Sequence, residues 1–252
     1  MATAAVWRPY SRWLPPGDPA FWPESLKGLF FVLFTGLLLH WLVKRDVDAI
    51  AAADRSAMRS HDQAIDSITR LMDTRHRETQ DHTRRVTRMT VELARRHGGF
   101  DDAALKRIER GAMLHDIGKI GIPDAILTKA GPLDSEEWIV MRQHPVYARE
   151  FLSQVEFLRP VLDIPYSHHE RWDGTGYPLG LAGEAIPLSA RLFAVVDVWD
   201  ALIHPRVYKS AWDERRVLDY LRDGAGTQFD PAVVRVFLGH YGAIKRAAQG
   251  PA

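Results

Sequence analysis

No cysteine occurs among the 252 residues. Disulfides and thiolate metal sites are thereby excluded, and any metal must be held by imidazole and carboxylate groups. Net charge is almost absent as well: 33 Lys and Arg stand against 32 Asp and Glu. That balance gives no electrostatic reason to expect a nucleic-acid polymer as partner. Between Leu37 and His97 there is neither glycine nor proline, so a helix can run through this stretch without a forced break. Alternating strand patterns and internal repeats are also missing, and the chain reads as all-α. Its length allows one large domain, or one domain with an appendage.

The N-terminal part divides into three. Residues 1–24 carry Pro9, Pro15, Pro16, Pro19 and Pro23 and are expected to be irregular. Gly28 to Val43 is apolar apart from Thr35 and His40, with Leu26 and Lys27 extending it and Lys44 and Arg45 closing it. Trp22 and Trp41 stand where interfacial aromatics belong. The expectation is one transmembrane helix over 25–43, single-pass in the inner (cytoplasmic) membrane. A weak excess of Lys and Arg on its C-terminal side puts the following domain in the cytoplasm. Residues 44–74 then form a helical linker. Ile50, Ala57, Ala64 and Leu71 recur every seven residues, with Ile65, Ile68 and Met72 near the same seam. This pattern suits a weak parallel coiled coil, hence a homodimer through 47–72, and equally a solvated single helix.

The chemistry lies in residues 75–245, before a short tail at 246–252. Glu78, His82, Val86, Met89 and Leu93 share one helix face, so a carboxylate and an imidazole stand on a buried stripe and need partners. Gly98 and Gly99 end that helix, and Asp101 or Asp102 caps the next. On the latter, Leu105, Ile108, Ala112 and His115 form a stripe with Asp116 beside it, stopped by Gly118. A second His-Asp pair, His61-Asp62, sits in a polar run; eleven His and twenty-one Asp predict about one such pair by chance. Asp134 with Glu137 reads as a capping box opening a helix through Trp138 to His144, which Pro145 places at the helix's C-terminal end. Pro165 is expected in the first turn of the helix carrying His168 and His169. Ser189 is expected to cap RLFAVVDVWDAL, whose Asp197 stands in an apolar middle with Asp200 on the same face. The final helices, near 212–222 and 231–242, look like amphipathic cover.

Glu78, His82, His115, Asp116, His144, His168, His169 and Asp197 together exceed what one tetrahedral ion can use. They suit two or three divalent ions, and mixed His/carboxylate donors favour Fe, Mn or Zn over Mg or Ca.

The segments HDIGKIGIPDAILTKAG, EEW…H at 136–144, HHERWDGTGYPLGLAGEAIP, ARLFAVVDVWDAL and AGTQFDP resemble the HD-GYP phosphodiesterase family over residues 75 to 240. This is an all-helical branch of the HD phosphohydrolases that hydrolyses cyclic di-GMP. The resemblance implies an HD-type helical bundle and metal ligation by His82, His115, Asp116, His144, His168, His169 and Asp197. Glu78 matches the extra carboxylate of members with a third metal, and Fe or Mn are the metals expected. It also implies that Lys119 lies near the scissile phosphate and works with Asp116. Arg206, Lys209 and Asp200 would contact substrate, beside the signature loop Gly176-Tyr177-Pro178. That loop is also the expected docking point for a cyclase or other signalling protein. Ile203 and His204 replace small hydroxyl residues of the family pattern, and the proline usual after Arg206 is missing. The activity implied is hydrolysis of cyclic di-GMP to the linear dinucleotide or GMP. The alternatives are a catalytically silent interaction module and a hydrolase of another cyclic dinucleotide.

Overall fold

The computed structural model describes residues 15–19, 21–75, 80–205 and 211–249. Glu78, Arg206 and Lys209 lie outside the described residues. The chain forms two compact units, Met1–Arg59 and Ser60–Ala252.

Helix α1 (Phe21–Arg75) is unbroken, in keeping with the long stretch lacking helix breakers. In the first unit most of its described apolar side chains are exposed: Phe30 is 70% and Leu37 is 69% exposed. It is long and apolar enough to cross a membrane.

The second unit begins inside α1, earlier than the expected boundary at 75. Ile65 and Met72 are buried with Leu114, Ile117, Ala148, Leu152, Leu158 and Val161. These two positions on the heptad seam are therefore occupied within the chain, whereas Ile50 and Leu71 stay exposed. The His61-Asp62 pair also has a structural role here. The His61 ring stacks on Phe157 at 3.8 Å. Asp62 accepts from Arg110 at 2.9 Å and lies 3.3 Å from Lys106.

The unit continues with α2 (Gln80–His97), α3 (Asp102–Met113), α4 (Asp124–Leu127), α5 (Ser135–Met141) and α6 (His144–Ser153). Then follow α7 (Asp163–Ser167), α8 (Leu188–Ile203), α9 (Glu214–Asp223), α10 (Pro231–Gly239) and α11 (Tyr241–Ala248). No strand occurs among the described residues, only isolated bridges at Asp173–Ala182 and Ala225–Phe229. The main core joins α2, α3 and α8 to α9–α11 through Met89, Ile108, Phe193, Leu221, Phe237 and Ile244.

Local signals account for most of the helix ends. Gly98 and Gly99 leave α2 at φ 81° and 84°, a region open to glycine because it has no Cβ. Asp101 caps α3, and Asp134 with Glu137 forms the capping box of α5. Five expectations need correction. Helix α1 starts at Phe21, inside the stretch expected to be irregular. Helix α3 ends at Met113, before His115, and Gly118 lies within a following 3-10 turn (Ile117–Gly121) rather than stopping the helix. Helix α5 stops at Met141 and His144 opens α6, because Pro145 is best placed in a first turn, where its missing N–H costs nothing. Ser189 does not cap α8, which starts at Leu188 after Pro187; its hydroxyl lies 3.3 Å from Asp163 Oδ2. His168 and His169 follow α7 rather than lying within it, His168 being the C-cap.

Candidate metal centre

Six side chains from five separate stretches converge. One set is His82, His115 and Asp197, the other His144, His168 and His169, and within each set the nearest ligand atoms lie within 4.8 Å of one another. His82 comes from the buried face of α2 and Asp197 from α8. His115 comes from the turn after α3, His144 from the first turn of α6, and the remaining pair from the end of α7.

Asp116 stands between the two sets. Its Oδ2 is 3.1 Å from His115 Nε2, and its Oδ1 is 3.5 Å from His144 Nε2 and 4.0 Å from His168 Nε2. Lys119 Nζ donates to Oδ2 at 2.6 Å. Burial would raise the Asp116 carboxyl, but the charge of Lys119 beside it holds it well below the usual carboxylate range.

The imidazoles are fixed from behind. The Nδ1 atoms of His115, His144 and His168 donate to the carbonyls of Ala112, Met141 and Ile164 at 2.9, 2.8 and 3.0 Å. Each Nε2 lone pair is thereby left facing the cluster, the arrangement that orients metal-binding histidines. His82 uses a different support: its Nδ1 donates to Asp200 Oδ2 at 2.7 Å. Its Nε2 lies 3.5 Å from Asp197 Oδ1. Burial drives His144 down to about 3. Burial and neighbouring His115 drive His168 down to about 4. His169 is pushed well below its ordinary value by burial and by His168. Neutral imidazoles crowded at this spacing fit a cation, which their lone pairs can share.

Close backbone packing sets the geometry. A Cβ on Gly118 would stand 1.7 Å from the carbonyl oxygen of His144. On Gly176 it would stand 2.4 Å from Arg171 N and 2.6 Å from His169 O. Glycine at 176 thus lets the signature loop press on the chain that carries His169. The buried Glu170 accepts from Leu179 N at 2.7 Å and Leu181 N at 3.0 Å, pinning the loop's far end. Tyr177 stacks on His169 at 4.7 Å, and Arg142 lies over the same tyrosine at 5.4 Å. Pro178 follows Tyr177 at the part-buried edge of the cluster.

Asp200 is not where the sequence led one to expect. It is 1% exposed, and its carboxylate is already engaged by His82, Arg85 and His204. Burial would raise its carboxyl, but hydrogen bonds from His82 and Arg85 hold it well below the usual range. Sequence reasoning also missed Arg85 and Glu170. Arg85 lies one turn after His82 on α2, a spacing that could have marked it; Glu170 was in view directly after the His168-His169 pair.

A family model described as HD domain matches residues 66–233. The chain belongs to that family and, with the Gly176-Tyr177-Pro178 loop in place, to its HD-GYP branch. A Vibrio cholerae protein named cyclic di-GMP phosphodiesterase is 40% identical over 211 residues, covering 78% of this chain and 43% of that protein. Another from the same organism, named 3'3'-cGAMP-specific phosphodiesterase 2, is 37% identical over 181 residues, covering 71% of this chain and 34% of its own. Among solved structures, an HDG"Y"P protein from Bdellovibrio bacteriovorus matches with TM-score 0.51 at 21% identity, over 67% of this chain and 52% of that one. That likeness is one of fold. The chain spans less than half the length of these two curated relatives.

Proposed function

We propose that the chain is a metal-dependent phosphodiesterase acting on cyclic di-GMP. The observation that carries the reading is the pair of three-residue ligand sets with one carboxylate, Asp116, between them. His82, His115, Asp197 and Asp116 would hold one ion, and His144, His168, His169 and Asp116 a second. Glu78 is the proposed donor for a third. Fe or Mn is the proposed metal, in keeping with the imidazole-rich donor set. Bound ions of this kind lower the pKa of water and stabilise charge on the entering and leaving oxygens of a phosphodiester.

The chain's own groups then have separate tasks. Lys119 neutralises a non-bridging phosphate oxygen while holding Asp116 ionised. Arg206 and Lys209 grip substrate phosphate and base. Tyr177 flanks the cluster and offers its ring edge to the substrate. Asp116 can also move a proton, because its oxygens face both halves. The product is the linear dinucleotide, with GMP following if a third ion is held.

Purified full chain assayed with Mn(II) or Fe(II) should hydrolyse cyclic di-GMP, and Asp116→Ala should lose nearly all of that turnover. No turnover in any metal would overturn the reading. A second reading, hydrolysis of 3'3'-cGAMP, is favoured by the relative bearing that name, and assaying both substrates side by side decides between them.

Residues 25–43 are proposed as a membrane anchor, with the second unit on the cytoplasmic side. The exposed apolar surface of α1 supports this. A homodimer is proposed through 47–72, using the exposed Ile50 and Leu71 rather than Ile65 and Met72. The signature loop is proposed as the docking point for a cyclase or other signalling protein. Loss of the chain from the membrane fraction on deleting 25–43 is the expected result.

A further inference from the structure

Four of the cluster's imidazoles show how their far nitrogens are held, and one differs in kind. His115, His144 and His168 are backed by backbone carbonyls, which no side-chain substitution can remove. His82 alone of these four is backed by a carboxylate. An ionised carboxylate can only accept, so the proton must sit on His82 Nδ1 and the lone pair on Nε2, towards Asp197.

Asp200 is itself held on both oxygens. Oδ1 lies 2.8 Å from Arg85 Nε and 3.1 Å from His204 Nδ1. Oδ2 lies 2.7 Å from His82 Nδ1 and 2.9 Å from Arg85 Nη2. The two-pronged arginine fixes the carboxylate plane as well as neutralising its charge. His204 Nδ1 is also 3.1 Å from the Asp200 carbonyl, closing the last turn of α8 over the pair. With the charge cancelled by Arg85, Asp200 reaches His82 as a fixed acceptor that sets tautomer and ring angle.

We propose that Asp200, braced by Arg85 and His204, is the positioning residue of His82 and controls metal affinity in one half of the cluster alone. The inference rests on the reading that the cluster holds metal. It assigns a place to His204, at which this chain departs from the family pattern, and removes Asp200 from the substrate contacts.

The test is titration of metal-stripped full chain with Mn(II), read by calorimetry and by metal analysis after desalting. Wild type should take up at least two equivalents. Asp200→Asn should weaken one equivalent at least tenfold, the usual cost of losing such an outer partner, and leave another unchanged. Adding His169→Ala to that variant should then weaken the remaining one. Asp200→Asn leaves a part-buried guanidinium without its partner, so Arg85→Gln with Asp200→Asn, which removes both charges, serves as the second variant and should show the same one-sided loss. Nitrogen-15 spectra of the histidines should show the Nδ1–H form of His82 in wild type and its loss in both variants. Retention of every equivalent at wild-type affinity overturns the proposal, and so does equal weakening of all. Wild type that binds no Mn(II) removes the metal reading and the proposal with it.

Discussion

The two halves of the cluster are built by different means. His82, His115 and Asp197 include a carboxylate, and His82 depends on a chain of side chains running through Asp200 to Arg85. His144, His168 and His169 are all imidazoles, and the first two rely on backbone carbonyls. Their placement depends on backbone contacts at Gly118 and Gly176. The orientation of His82 is therefore open to tuning by single side chains, whereas that of His144 and His168 rests on backbone packing.

The largest effect should come from the residue common to both halves. Asp116→Ala is expected to lower turnover on the order of a thousandfold, the upper range for removing one electrostatic stabiliser. It should weaken metal binding at both positions. If either position kept its affinity, the two halves would not be joined through this carboxylate.

Packing comes next. Gly118→Ala forces a methyl into the His144 carbonyl at 1.7 Å, and should cost about 3 kcal/mol in urea unfolding, at the upper end for overpacking. An unchanged midpoint would show that the second half tolerates backbone movement and would erase the contrast with the first.

The pH dependence of the metal-free protein sharpens the same contrast. His144, His168 and His169 have folded-state values held below 6.5. The unfolded chain therefore takes up protons first as pH falls. Stability should be level above pH 6.5 and drop below it, by up to about 1.4 kcal/mol per pH unit for each histidine. The drop should continue towards pH 4, near the folded value of His168. Denaturant melts from pH 7 to 5 measure the slope, and His144→Ala should make it shallower.

The smallest effect is expected away from both halves. Asp62→Ala removes the ion pairs from α1 to Arg110 and Lys106. Asp62 is 39% exposed, so the loss should be only about 0.5–1 kcal/mol, without change in metal uptake. A change in uptake would mean that α1 acts on the cluster through Leu114 and Ile117, next to His115 and Asp116.

Much of this was legible in the chain itself. The buried stripe from His82 to Leu93, the capping box at Asp134 and the glycine stop after His97 are local patterns, and local patterns follow from helix geometry and backbone chemistry. The role of Asp200 was not legible. Its spacing from Asp197 put both on one face of α8, but spacing cannot say that Arg85, 115 residues earlier, would occupy it. The pair His61-Asp62 looked like a coincidence of composition because its partners, Phe157, Lys106 and Arg110, are all distant in sequence. His144 was put at the wrong end of a helix for a local reason, since a proline can follow one helix or open the next.

Composition and pattern by themselves determined that the chain is helical, that imidazoles and carboxylates would carry any metal chemistry, and which residues were candidates. Periodicity and hydrogen-bonding capacity are properties of short segments, so a short segment reveals them. Only the tertiary structure decided which nitrogen of His82, His115, His144 and His168 faces inward, which carboxylate supports His82, and where the second unit begins. Those outcomes depend on groups brought together from distant parts of the chain by burial of a common core.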